Sequence, residues 1–293
     1  MKGHLRRLRQ MLLLVCGTCS AVNAQIGNVV VTSGASFEPG LPSRGSIASV
    51  FCTGLVGVEG VLQATSLPLP TQLAGVRVRV GGAPAPLFAV AALAGYQQIN
   101  IQVPQEAAFG DQDAEVSVEQ HAQQAVVKLP LRLSTPGDFF RWPGTNCGIF
   151  QHGPDYSLVT PENPARPGEV IIAYLTGMRY TEPRVPTGEP SPFKPLAVVR
   201  EYMEYAGIVD YYLKMGSDLL VTASQTNPSF VGLTPGSVGV YQVNFAVPAS
   251  ETGGNKQIVL VLHTCVPGFR TCLSPSGAAH NYYYSSPVLI PVR

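Results

Sequence analysis

The chain has 293 residues with 30 Gly and 26 Pro, is 45% hydrophobic and only 13% charged, and carries a formal net charge of +1. Glycine without a three-residue period excludes collagen. High hydrophobicity with near-neutral charge excludes a disordered chain, and the density of helix breakers excludes a coiled coil or helix bundle, leaving a globular, turn-dense, all-β protein.

The first 24 residues predict a cleavable export signal. Lys2, Arg6, Arg7 and Arg9 form a positive start, and Met11 to Cys16 begins an apolar core too short to span a bilayer. Val22-Asn23-Ala24 offers small residues for cleavage before Gln25. Removing this segment takes four basic residues and no acidic one. It leaves 15 basic against 18 acidic side chains, a charge of −3, and no Lys/Arg cluster. Nucleic-acid binding needs clustered cations against phosphates and loses its basis here.

Beyond the signal, an internal repeat sets the architecture. The stretch from Arg44 to Leu55, containing Gly45, Thr53 and Gly54, matches Arg166 to Met178, containing Gly168, Thr176 and Gly177. Tyr96-Gln-Gln-Ile-Asn-Ile-Gln-Val-Pro104 matches Tyr241-Gln-Val-Asn-Phe-Ala-Val-Pro248. The segments inside each copy read as strands. Val76, Val78 and Val80 alternate with Arg77 and Arg79, and Ile99 and Ile101 with Asn100 and Gln102. Ile171 to Leu175 is a continuous apolar run suited to a sandwich core. Turn signals such as Pro39-Gly40, Gly81-Gly82 and Pro235-Gly236 separate them. These patterns predict two tandem immunoglobulin-like β-sandwich domains, 25–145 and 146–293, after a signal peptide over 1–24.

At the junction, Phe139, Phe140 and Trp142 stand between two Pro-Gly pairs. Their large apolar area predicts an aromatic plug between the two domains; the alternative is an exposed stacking platform for a sugar. The second copy carries extra residues between its two motifs, and 200–214 predict a projecting hairpin. Met203, Tyr205, Val209, Tyr211 and Leu213 would share one face, and Tyr202, Glu204, Asp210 and Tyr212 the other. Extra loops on rigid sandwiches commonly carry binding.

Cys16 and Cys19 leave with the signal, so Cys52, Cys147, Cys265 and Cys272 remain, with three possible pairings. Cys265 and Cys272 bracket a Pro-Gly turn, so a local bridge between them is simplest, and it pairs Cys52 with Cys147. A zinc site built from all four lacks the close C-x2–4-C spacing.

The chemistry-bearing motifs are few. There is no G-x-S-x-G elbow, H-E-x-x-H pair, P-loop or G-x-G-x-x-G. Asp111, Asp113 and Glu115 alternate after Gly110 and can present hard oxygens to Ca²⁺, although their place in a hairpin turn takes precedence. His152 and Asp155 offer only two ligands to a metal. No cofactor is expected. Tyrosine gives the better lead, because seven of the 12 lie at positions 202, 205, 211, 212 and 282–284. Tyr202, Tyr212, Tyr282, Tyr283 and Tyr284 are the candidate recognition residues, since rigid amphipathic rings suit binding surfaces.

Several stretches together carry a resemblance: Ala35-Ser36-Phe37 with Pro39-Gly40, Gly82 to Phe88, Gln98-Ile99-Asn100 with Gln102-Val103-Pro104, Asn163 to Val170, and Gly239 to Asn244. As a set they resemble an uncharacterised secreted C-terminal domain family of Acidobacteria of the Solibacter type, built from paired IPT/TIG-like immunoglobulin-fold modules. The resemblance runs from about residue 28 to 290 and departs at 200–214 and 265–272. It implies a fold and export, and no catalytic residue. The combined expectation is an exported, non-enzymatic binding or adhesion module for a protein or glycan at or beyond the cell surface, with no membrane span after processing. The alternatives are a structural spacer or assembly domain of the envelope and, with least support, a secreted hydrolase.

Overall fold

A computed structural model describes residues 25–93, 95–110, 113–130, 136–178, 180–199, 209–219, 223–265 and 280–293. Among these residues there is no helix, and the protein is an all-β sandwich. The export signal expected over 1–24 lies outside the described residues.

The N-terminal half holds β1 (Gly27–Ser33), β2 (Ile47–Thr53), β3 (Gly60–Gln63), β4 (Val76–Val80), β5 (Ala83–Pro84), β6 (Leu87–Leu93), β7 (Tyr96–Gln102), β8 (Asp113–Gln120) and β9 (Gln123–Pro130). They form two antiparallel sheets, ordered β1-β2-β7-β6-β3 and β5-β4-β8-β9. The period-two pattern explains how the sheets face each other. Val76, Val78 and Val80 are buried while Arg77 and Arg79 are exposed. These valines share one core with Val116 and Val118 of the same sheet and with Val50, Val90, Ile99 and Ile101 of the other. Each such side chain contributes about 1.5–3 kcal/mol through burial.

The C-terminal half holds β10 (Asp138–Phe139), β11 (Phe150–His152), β12 (Val170–Thr176), β13 (Thr181–Glu182), β14 (Val198–Val199), β15 (Val209–Gly216), β16 (Ser224–Thr226), β17 (Pro228–Leu233), β18 (Tyr241–Ala246), β19 (Gly254–Cys265), β20 (His280–Tyr284) and β21 (Val288–Val292). One sheet runs β10-β12-β18-β17-β14-β13, with β11 also on β12. The other runs β16-β15-β19-β20, with β21 also on β19. A second core joins Ile171, Ala173, Leu175, Val243 and Phe245 of the first sheet to Leu213, Met215, Ile258, Leu260, Val288 and Ile290 of the other.

The sequence repeat is a repeat of hydrogen bonds. In the N-terminal half β2 pairs with β7, and in the C-terminal half β12 pairs with β18, antiparallel in both. The Gly45 N–H donates to the Val103 carbonyl at 2.8 Å, and the Gly168 N–H to the Val247 carbonyl at 2.8 Å. Both glycines sit at positive φ, 78° and 80°, which a side chain would strain. On the next strand Gln98 Nε2 donates to Asn100 Oδ1 at 2.7 Å, and Gln242 Nε2 to Asn244 Oδ1 at 2.8 Å.

Hydrogen bonds also join the halves. Thr176 Oγ1, fully buried, accepts from the Ile47 N–H at 2.8 Å and donates to the Gly239 carbonyl at 2.8 Å. Gly188 donates its N–H to Gln102 Oε1 at 2.7 Å, and its carbonyl accepts from the Leu69 N–H at 2.9 Å. Arg141 reaches back to Glu38 at 3.5 Å.

Three expectations change. The Cys52–Cys147 bridge is absent, and both are free thiols. Cys52 packs in the N-terminal core, whereas the Cys147 backbone bridges to Leu289 in the C-terminal half. Cys272 lies outside the described residues, so the Cys265–Cys272 bridge does too. The aromatic plug does not form as a unit either. Phe139 enters the second core beside Phe150, ring centroids 6.1 Å apart, while Trp142 is 41% exposed on a turn. Lastly, 209–214 do not project. They lie within β15, an interior strand between β16 and β19; the rest of the expected hairpin, 200–208, is outside the described residues.

Candidate functional site

The second half turns one sheet face away from its core, and two of the expected tyrosines stand on it. Register places Tyr212 of β15 and Tyr284 of β20 opposite the same residue of β19, Val261. Lys214 lies opposite Val259 in the adjacent row. Leu213, Met215, Ile258 and Leu260 point into the core, so strict alternation turns Tyr212, Lys214, Val259, Val261 and Tyr284 outward. Val259 and Val261 are nonetheless buried, and Tyr212 is half-buried.

Tyr284 is 53% exposed, and the Lys214 ammonium stands 5.9 Å from its ring centroid, within cation–π reach. Both line a groove of about 600 Å³ with Ser217, Asp218, Gln257 and Val259. The groove combines an apolar floor with a cation, a carboxylate, an amide and hydroxyls, the composition that orients a ligand and holds its body. The strand that carries Tyr284 is pinned just beyond it. Partnership with β19 passes from β20 to β21 at Leu260. There the Leu260 N–H donates to Ser285 Oγ at 3.0 Å, and the Ser285 N–H to the Leu260 carbonyl at 3.0 Å.

The remaining expected residues scatter. Tyr283 lies on the opposite side of β20 and is 41% exposed. Tyr282 is in β20 opposite His263 by register, and Tyr202 lies outside the described residues. Of the calcium candidates, Asp111 is outside the described residues. Asp113 and Glu115 are exposed on β8, and the Asp113 carbonyl accepts from the Gly110 N–H at 2.8 Å in the turn that precedes it. Among the described residues no three His, Cys, Asp or Glu side chains converge.

His152 is buried, with Nδ1 2.7 Å from Glu169 Oε1 and Nε2 3.1 Å from the Asn163 carbonyl, so both ring nitrogens are occupied within the fold. Asp155 is held by the Ser157 N–H and hydroxyl, which lower its carboxyl below the ordinary carboxylate value.

A second concavity had no sequence signal. A cleft of about 260 Å³ opens where the halves meet, lined by Gln105 and Glu106 from one side and by Tyr180, Arg184, Glu189 and Tyr241 from the other. Burial pushes the Tyr241 phenol up, so it stays neutral. The lining comes from four segments in two halves of the chain, and no local pattern links them.

No family model matches the chain, and no curated protein matches it. Among solved structures it is similar to the endo-fucoidan hydrolase MfFcnA4 from glycoside hydrolase family 107, at 12% identity over 86% of this chain and 27% of that one, with a TM-score of 0.15. A variant of the same hydrolase gives 10% identity over 90% of this chain and 37% of that one, with a TM-score of 0.18. The endo-fucoidan hydrolase MfFcnA9 gives 10% identity over 89% and 34%, with a TM-score of 0.14. The chain thus spans less than two-fifths of each of these proteins, and similarity at this level carries no inference about activity.

Proposed function

We propose that this protein is an exported, non-enzymatic binding module that recognises a glycan or protein at or beyond the cell surface through the outer face of β15, β19 and β20. One observation carries the reading: the exposed Tyr284 ring, with Lys214 beside it, at the edge of the groove of about 600 Å³. Such a ring presents a flat apolar face to a sugar ring or an aliphatic side chain, and the surrounding Lys214, Ser217, Asp218 and Gln257 supply polar partners. The resemblance to secreted IPT/TIG-like modules and the signal-like first 24 residues support export in the same reading.

The test is a binding screen of the mature protein, starting at Gln25, against immobilised envelope glycans and envelope proteins, beside Tyr284→Ala and Tyr212→Ala. Tyr284→Ala is expected to weaken capture about tenfold or more, with Tyr212→Ala weaker in effect because that ring is half-buried. Unchanged capture by both variants would overturn this assignment of the face. Edman sequencing of exported material checks the other half of the reading and is expected to begin at Gln25.

A second reading rests on β3. All four of its residues are exposed, and among the described residues it pairs only with β6, at the rim of its sheet. An open edge of this kind can add a strand from another chain, as an assembly or spacer domain would. A strictly monomeric sedimentation profile at high concentration would remove this alternative.

A further inference from the structure

The cleft between the halves has hydrogen-bonding capacity that the fold does not use. The Arg184 guanidinium stacks on Tyr180 at 4.8 Å and, among the described residues, makes no ion pair or hydrogen bond. The Glu189 carboxylate is likewise unpaired among them. Glu106 uses one oxygen to accept from the Thr187 hydroxyl at 2.7 Å, which ties the cleft wall across the two halves.

The chemistry of the lining restricts the occupant. An anionic ligand would suit Arg184 but would meet the carboxylates of Glu106 and Glu189. A cationic ligand would suit those carboxylates but would meet Arg184. A neutral polyol suits all of them, because each hydroxyl is both donor and acceptor. Its hydroxyls donate to Glu189 and to the second carboxylate oxygen of Glu106, and accept from the fork of donors on Arg184. The volume, about 260 Å³, falls below the ~300–1,000 Å³ typical of sites for drug-sized ligands. That leaves room for something the size of a single sugar ring. Stacking on Tyr180 fixes the guanidinium plane in advance, which lowers the ordering cost of binding.

We propose that this cleft is a binding site for a single neutral sugar residue, separate from the Tyr284 groove. Nothing in the proposal depends on the Tyr284 face, and the experiment keeps the two apart. The mature protein is titrated calorimetrically, and by saturation-transfer NMR, with the methyl glycosides of glucose, galactose, mannose and fucose. Glucuronate and glucosamine serve as charged probes of similar size.

At least one neutral glycoside is expected to bind. Arg184→Ala and Glu189→Ala are each expected to weaken that binding about tenfold or more, the loss of one charge-assisted hydrogen bond. Tyr284→Ala is expected to leave it unchanged. Circular dichroism is expected to be the same for all variants, because Arg184 is exposed and Glu189 half-buried. Binding of no neutral glycoside, tighter binding of either charged sugar, or full affinity in the Arg184→Ala/Glu189→Ala double variant would overturn the site. Loss of binding in Tyr284→Ala alone would move the sugar to the other groove and overturn it as well.

Discussion

Two buried side chains show how local environment sets reactivity and stability. Cys52 lies in the N-terminal core, and burial pushes its thiol up from the ordinary 9.0 to about 11. Its contribution to stability is complete below pH 9.0 and is lost as pH rises toward 11, because the unfolded chain gives up its proton first. In the native protein at pH 8, a thiol reagent followed by peptide mapping is expected to label Cys147 and spare Cys52, with both labelled in denaturant. Equal native labelling would contradict the burial argument. Lys256 is buried against Glu251 at 3.6 Å and within 3.2 Å of the Ser217 and Thr252 hydroxyls. Glu251→Gln leaves that ammonium without its counter-charge and is expected to cost about 3–5 kcal/mol in urea denaturation. The Glu251→Gln/Lys256→Met double variant, which buries no charge, is expected to recover much of the loss.

At the scale of strands, the handover on β19 is the informative case. Leu260 stands between two successive partners, and Ser285 supplies the hydrogen bonds that neither strand makes. Ser285→Ala is expected to lower stability by about 1–2 kcal/mol, measured by thermal melting, because a buried N–H loses its acceptor. It should also loosen the setting of Tyr284. Strands were the most legible part of the sequence. The alternation of Val76, Val78 and Val80 with arginines, and the matched segments around Gly45 and Gly168, translate directly into pairs β2–β7 and β12–β18.

Pairing between distant strands was not legible. Tyr212 and Tyr284 share a row only because β19 lies between them, and the register of three separated segments has no local signature. The same alternation that suits a projecting hairpin also suits the interior strand that β15 is. The cleft was invisible for a related reason: Glu106 and Arg184 come to line it through tertiary packing, without any shared motif.

At the scale of the whole molecule, hydrogen bonds join the two halves. Thr176 is the clearest, serving one backbone N–H and one backbone carbonyl from different parts of the chain. Thr176→Val keeps the shape and removes both bonds, and is expected to cost about 2–4 kcal/mol in denaturant titration. Gly239 fits the same contact closely, since a Cβ there would stand 3.1 Å from the Gly45 carbonyl oxygen at φ +67°. Separate unfolding transitions in Thr176→Val, against one in the parent, would show that this junction makes the halves cooperative.

The last strand has a consequence for how the chain is made. Among the described residues the N-terminal core draws on positions between Ile26 and Leu129, so it can close while the rest is still being synthesised. The other core takes Val288, Ile290 and Val292 from β21 and cannot close before those residues emerge. Until then β19 has an unclaimed edge over Gly254–Ile258, where β21 belongs. The N-terminal half is therefore expected to become compact first and the other half late, which makes the late half the point at which a holding chaperone would matter. Protease protection of ribosome-stalled chains should appear for the N-terminal half first and reach the second half only after Val292 has left the exit tunnel.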